Sequence, residues 1–259
     1  MPRGLPLGMR SLPFVLGCLL AAAPAAAQVP DTTKPAAPPA PVPDSAKLTV
    51  GLGLVTTSGN TNVTTFNFGN SFSYIHRPWV FSEAAAMIYG SSHDTVNNDQ
   101  YHLLLRVDLG LHDGISAYVY GGFDRDRFAG VVSRYQEAGG IAWKAIEHPS
   151  DLLTLEAGLS ENQQRDVGTG TTASFAAARA AATYKHMVNT TAYVQEAAEA
   201  LPDLQNSKNL RINSATDLVA PLSTVISLKV GYVIRFDNLP PVGFMKTDRI
   251  LTTGIQITL

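Results

Sequence analysis

The feature that most constrains this chain is a long alternation of large apolar and small polar residues. Residues 48–75 contain no charged side chain, yet Thr, Asn, Ser and Gly fill at least half of the stretch. From Val63 to Tyr74 nearly every second residue is large and apolar or aromatic, and the residues between them are mostly small and polar. A period of two places these sets on opposite faces of a strand. With the Ser-, Gly- and Asn-rich turn at 57–62, the stretch predicts a β-hairpin.

The same alternation recurs along the chain. Further runs of period two occupy residues 101–111, 153–160, 210–218, 226–236 and 251–259. In several of them one face is apolar and the other carries full charges. The sequence therefore predicts an all-β protein in which one face of each strand meets an apolar environment.

Strand length and the connections favour a membrane barrel over a soluble sandwich. Many runs last ten to fourteen residues, whereas soluble strands average about five or six residues and membrane-spanning strands need about 9–11. Short predicted turns lie at 76–78, 112–114, 147–150, 185–189 and 220–223. They alternate with six mostly longer loops at 57–62, 91–99, 125–133, 161–172, 198–208 and 237–246. Bacterial outer-membrane barrels have this asymmetry.

These patterns predict a closed antiparallel transmembrane β-barrel of about 12 strands, with both termini on the periplasmic side. Only 15% of the residues are charged, against about 25% in soluble domains, as expected where one face contacts lipid. The net charge of −2 provides no basic field for nucleic acid. Glu83 and Glu137 fall on the predicted outward face, and a bulge or a position near the rim is expected to explain them.

The residues before the barrel predict export. Residues 1–27 have two arginines, an apolar run and a small-residue cleavage site, the layout of a secretory signal peptide. Residues 28–46 are rich in Pro and Ala and predict an extended linker, and residues 47–259 form the barrel domain. Cys18 is the only cysteine; it belongs either to the apolar core of the signal or to a lipidation box. We expect the protein in the outer membrane of a Gram-negative bacterium.

Specific strings add a family resemblance. They are TSGNT at 57–61, SRYQEAGGIAWK at 133–144, LEAGLS at 155–160, KNLRINSATDLVAPLS at 208–223, SLKVGYVIRFDNLPP at 227–241 and KTD at 246–248. With these the chain resembles the salt-induced outer-membrane proteins of Gram-negative bacteria, a family of unknown function. The resemblance covers residues 47–259 and is most specific over 209–248. It implies an outer-membrane barrel and a link to osmotic or salt stress, and it brings no catalytic residues.

An outer-membrane enzyme that modifies lipids or cleaves proteins is the alternative function. The phospholipase signature, with His two residues before Ser-Asn-Gly, does not occur, and the Ser-Gly-Asn at 58–60 has no His near it. His93 and Asp94, with Asp99, could form a carboxylate–His protease arrangement or a solvated loop. The sequence predicts a non-enzymatic protein and no cofactor, metal or catalytic site.

The predicted lumen-facing charges are the functional candidates: Arg106, Asp108, Glu156, Arg179, Lys185, Arg211, Asp217, Lys229 and Arg235. Paired ions can fill a small barrel, or charge rings can select solutes in a conducting pore; both alternatives remain open. The loop at 237–246 is either a lid over the mouth, a binding surface or a rigid surface loop. The predicted partners are outer-membrane lipid, the barrel-assembly machinery and small solutes or ions, and no nucleic acid.

Overall fold

The computed structural model describes residues 44–58, 63–92, 95–168, 170 and 172–259. The predicted signal peptide, most of the predicted linker, and the pair His93–Asp94 lie outside the described residues. Twelve antiparallel strands make up almost all of the described chain: β1 (Ser45–Ser58), β2 (Val63–His76), β3 (Trp79–Ser92), β4 (Thr95–His112), β5 (Ile115–Asp126), β6 (Val131–Glu147), β7 (Asp151–Asp166), β8 (Thr172–Met187), β9 (Tyr193–Pro202), β10 (Leu210–Pro221), β11 (Ile226–Asp237) and β12 (Thr247–Thr258).

The strands form a closed barrel in which each strand pairs with its neighbours in sequence and β1 pairs with β12. At this seam Leu48 and Leu259 exchange two backbone hydrogen bonds of 2.9 and 2.8 Å. Closure satisfies the backbone N–H and C=O groups that an open sheet edge would leave unpaired in lipid. The predicted closed antiparallel barrel of 12 strands is confirmed. Among the described residues, no helix is long and apolar enough to cross a membrane.

The connections differ from the predicted ones in length. Three segments predicted as loops, 91–99, 125–133 and 161–172, are mostly strand, because the strands on both sides of each segment extend into it. The reason is visible in β7, where Glu161, Gln163 and Arg165 point outward and Asn162 and Gln164 point inward. Both faces are polar there, so the alternation of hydrophobicity disappears although the hydrogen-bonded ladder continues. A single turn of 3₁₀ helix, Arg127–Ala129, links β5 to β6.

The large apolar side chains face outward. Leu52, Phe66 and Leu159 are 64%, 77% and 62% exposed, which would be costly in water and suits a surface covered by lipid. Small and polar residues alternate with them and face the lumen. The low charge content of the chain therefore follows from its outer surface.

Glu83 and Glu137 do lie on the outward face, but no bulge explains them. Glu83 is in register with Phe72 and Leu105, and it accepts a 2.8 Å hydrogen bond from Asn70 Nδ2. Glu137 is directly opposite Glu161 on β7, in an uninterrupted part of the ladder. Their cost is limited because Glu on the lipid face of a barrel is tolerated better than Lys or Arg.

Two glycines on the inner face make room for one tyrosine. Gly140 and Gly158 are directly opposite each other on β6 and β7. A Cβ atom on Gly158 would lie 2.4 Å from Gly139 O and 2.7 Å from Tyr118 Oη, and one on Gly140 would lie 2.8 Å from the same hydroxyl. The Tyr118 side chain, 2% exposed, therefore lies flat against the wall at a place where only glycine fits.

Candidate functional site

The lumen contains a cavity of about 1070 Å³. Its lining includes Lys47 and Tyr193, near the end that carries the short turns, and Pro240 and Met245 in the longest loop at the opposite end. Eight of the nine charges predicted to face the lumen line it. The ninth, Asp108, binds Arg106 instead. The cavity is therefore the candidate functional site.

One side of the lumen, which we call the charged wall, is built by inward residues of β4 to β9. Arg106 donates to Asp108 through Nε and Nη2 at 2.8 and 2.7 Å. Its Nη2 also lies 2.9 Å from Glu156 Oε1. The Arg106 guanidinium stacks over Tyr118, 4.4 Å from the ring centroid. The tyrosine that fits against the two glycines thus supports the charged groups.

Arg179 is the centre of the charged wall. Its Nη1 donates to Glu156 Oε2 at 2.6 Å and to Tyr118 Oη at 2.8 Å, and its Nε donates to Glu199 Oε2 at 2.6 Å. The Arg179 side chain is 8% exposed. Gln136 donates to Tyr120 Oη at 2.7 Å, which holds the second stacked tyrosine in place. Each charge is held against the wall by opposite charges and hydrogen bonds.

The opposite side of the lumen, the small-residue wall, belongs to β1, β2 and β3. Many of its cavity-lining residues carry little or no side chain, among them Gly51, Gly53, Gly69, Ser71, Ser82 and Ala84. The space of the lumen therefore lies mainly between this wall and the charged wall.

The end with the longer loops is crossed by a strap, residues 238–246. The strap leaves β11, yet its Pro241 and Phe244 pack on Gly130, six strands away round the ring. A Cβ atom on Gly130 would lie 2.7 Å from Phe244 Cδ2, and Gly130 has a φ of +86°. An ion pair of 3.7 Å between Arg235 Nη1 and Asp126 Oδ2 spans the same gap. The loop predicted to be a lid, a binding surface or a rigid loop lies across this mouth.

The remaining predicted charges are near the ends of the cavity. Lys229 pairs with Asp217 at 2.9 Å. Lys185 lies 3.8 Å from the centroid of the Tyr193 ring. Arg211, 7% exposed, lies near the strap. No group of three or more His, Cys, Asp or Glu that could hold a metal ion occurs among the described residues.

A protein-family model matches most of the chain. The model for "Protein of unknown function, DUF481" matches residues 50–258. The chain belongs to this DUF481 family. The predicted membership in an outer-membrane family of unknown function agrees with it, and the link to salt stress stays a prediction.

Several of the solved structures similar to this DUF481 barrel are porins. NanC porin is 11% identical, with 82% of this chain and 100% of that chain covered and a TM-score of 0.56. KdgM porin in complex with disordered oligogalacturonate is 7% identical, with 81% and 98% covered and a TM-score of 0.46. An anion-selective porin from Comamonas acidovorans is also 7% identical, with 84% and 99% covered and a TM-score of 0.43. The similarity to NanC shows a porin-type fold. None of the curated proteins compared with the chain matches it.

Several residues of the DUF481 lumen were not among the predicted ones. Tyr118, Tyr120 and Gln136 carry no charge, although the alternation of β5 and β6 could have placed them inward. Glu199 was assigned to a loop at 198–208, which is wrong because β9 continues to Pro202. Arg134 lies in a quoted family string but at the edge of a predicted loop.

The enzyme alternative gains no support from the geometry of a turn that holds Ser, His and Asp. Ser150 Oγ is 2.9 Å from His148 Nδ1, but the hydroxyl donates to Asp151 Oδ2 at 2.6 Å. In a nucleophile–base pair the acid orients the histidine. Here the acid binds the serine, so the hydroxyl is not activated by a positioned base.

Proposed function

We propose that the chain is an outer-membrane pore that conducts small solutes or ions through its lumen. The observation that carries the proposal is the cavity of about 1070 Å³, whose lining residues come from both ends of the barrel. In a plugged barrel, side chains would occupy this space.

The distribution of charge supports the same function. The charges of the charged wall are bonded to one another along β4 to β9, so they do not extend into the centre of the lumen. The small-residue wall opposite leaves room beside them. A porin-type fold with an outward apolar surface is consistent with this role and with an outer-membrane location.

The test is planar-bilayer conductance of the full chain, expressed with its own N-terminus and purified in neutral detergent. Heat-dependent gel mobility serves as the folding control, because a folded barrel migrates differently before and after boiling. We expect reproducible single-channel steps from the folded sample and none from the boiled one. A folded, heat-modifiable barrel that never conducts would refute the pore and favour a structural role with a closed lumen.

A further inference from the structure

Arg211 presents a buried guanidinium group whose hydrogen-bonding capacity is only partly used. Its Nη2 donates to Gln164 Oε1 at 2.9 Å. Its Nε and Nη1 atoms are buried and make no hydrogen bond. Nε lies 3.3 Å from Asp237 Oδ2, which is an ion-pair distance without the geometry of a hydrogen bond. Buried polar groups are nearly always bonded, so two unbonded N–H groups on one arginine point to an absent acceptor.

A second arginine meets the same acceptor. Arg134 Nε donates to Gln164 Oε1 at 2.7 Å, so two guanidinium groups from β6 and β10 lie against one neutral oxygen atom. Among the described residues, no carboxylate forms a salt bridge with Arg134. Two like charges this close repel each other unless an anion lies between them.

Two carboxylates in the neighbourhood make their hydrogen bonds with other residues. Asp166 accepts from Gln164 Nε2 at 2.6 Å. Asp124, opposite Arg134 in register, is held at 2.7 Å by His102. Asp237 is the one carboxylate within ion-pair distance of Arg211 in the described chain, and it is the residue immediately before the strap. Arg134 and Arg211 both line the cavity.

The aromatic contact of Arg211 also favours the binding of a flat charged group. The Arg211 guanidinium stacks on Phe175, 4.5 Å from the ring centroid. This contact fixes the plane of the guanidinium, and a fixed guanidinium can donate two parallel hydrogen bonds to a carboxylate or phosphate.

We propose that Arg134 and Arg211 form a binding site for the oxyanion group of a solute, a carboxylate or a phosphate, beneath the strap. The proposal rests on the proposed pore, because it names the class of solute that the lumen receives. An incoming oxyanion accepts from the unbonded Nε of Arg211 and displaces Asp237 from it.

Equilibrium binding tests the site without requiring conductance. The full chain in neutral detergent is titrated calorimetrically with inorganic phosphate and, separately, with acetate, against sodium chloride at equal ionic strength. We expect saturable binding of phosphate, acetate or both, and no response to chloride. Arg134→Gln should weaken that binding about tenfold or more, as expected when a charge-assisted hydrogen bond is lost. Lys144→Gln, which removes an exposed charge that does not line the cavity, is the matched control and should bind like the wild type.

Arg211→Gln should have the same effect as Arg134→Gln, and Arg134→Gln remains informative if the buried substitution fails to fold. Absence of saturable binding, or binding that is unchanged in folded Arg134→Gln, would overturn the site. Conductance of the same samples separates the two proposals. A silent barrel with Arg134-dependent binding contradicts only the pore, and a conducting barrel without binding contradicts only the site.

Discussion

The two walls of the lumen are built on opposite plans. The charged wall holds Arg106, Glu156, Arg179 and Glu199 in one network, supported by two tyrosines, whereas the small-residue wall is rich in Gly, Ser and Ala. A polar interior can thus be obtained either by bonding every charge or by having almost no side chains. The first plan contributes stability and leaves the residues little tolerance for change. The second leaves space and should tolerate change.

The sharpest test of this difference removes the central cation of the charged wall. Arg179→Ala leaves Glu156 and Glu199 without their strongest partner, and breaking a buried ion pair from one side costs about 3–5 kcal/mol. We expect the free energy of unfolding to fall by that amount, measured by urea unfolding in lipid vesicles with Trp79 and Trp143 as fluorescent reporters.

The control for Arg179→Ala is Lys144→Ala, which breaks the exposed 3.0 Å pair with Glu147 and should change stability by less than about 1 kcal/mol. Equal losses in the two variants would show that the charged wall is no more stabilising than the surface.

A matched pair of glycine substitutions tests how tightly each wall is packed. Gly158→Ala on the charged wall places a Cβ atom 2.4 Å from Gly139 O and 2.7 Å from Tyr118 Oη, and overpacking of this kind costs about 1–3 kcal/mol. Gly51→Ala on the small-residue wall meets nothing nearer than 3.9 Å and should leave unfolding unchanged. The same vesicle assay compares them, and a tolerated Gly158→Ala would contradict the tight fit of Tyr118.

The small-residue wall should control conductance rather than stability. Ser71→Trp places a large ring in the lumen, so single-channel conductance should fall clearly while heat-dependent gel mobility stays as in the wild type. Leu52→Trp, on the lipid side of β1, is the control and should conduct normally. Unchanged conductance in Ser71→Trp would mean that solutes do not pass along this wall.

The smallest effect is expected at the rim, where an exposed carboxylate precedes β1. Asp44 accepts from His76 at 2.9 Å and from Tyr74 at 3.0 Å, and these hydrogen bonds, the one from His76 first, lower the pKa of Asp44 below its ordinary value. Because the folded pKa is the lower one, the stabilising contribution is present at neutral pH and is lost as the pH falls through it.

Asp44→Asn should therefore lower the temperature of heat modification slightly at pH 7 and not at all in strong acid. Asp113→Asn, at an exposed turn of the same rim, should have no effect at either pH. A loss that persists in acid would show that the carboxylate charge is not what stabilises the rim.

The strands could be predicted from the sequence because lipid imposes a simple rule on one face. The strand β2, for example, is predicted by the alternation that includes Phe66, Phe68 and Phe72. Where a strand extends beyond the lipid, its outward residues need not be apolar and the alternation disappears. Asn162 and Gln164 were therefore predicted to lie in a loop, although they continue β7. The residues 198–202 of β9 were missed because Ala, Glu and Pro give a weak alternation.

The candidate site was less predictable because it depends on register and not on periodicity. The inward direction of the Arg179 and Arg211 side chains follows from the period-two alternation of residues along their strands. The meeting of Arg134 with Arg211 depends on how far each strand is staggered along the barrel, and no local pattern encodes that stagger. The role of Gly140 and Gly158 likewise becomes visible only once Tyr118 is seen to lie between them.

The seam between β1 and β12 has a consequence for the order in which the chain folds. Partners such as Thr49 and Thr258 are 209 residues apart in sequence, and contacts of such separation form late, because the intervening chain must first be ordered. The ring has no stable closed form until its final strand is available. A polypeptide of this topology cannot complete its fold before the last strand has arrived.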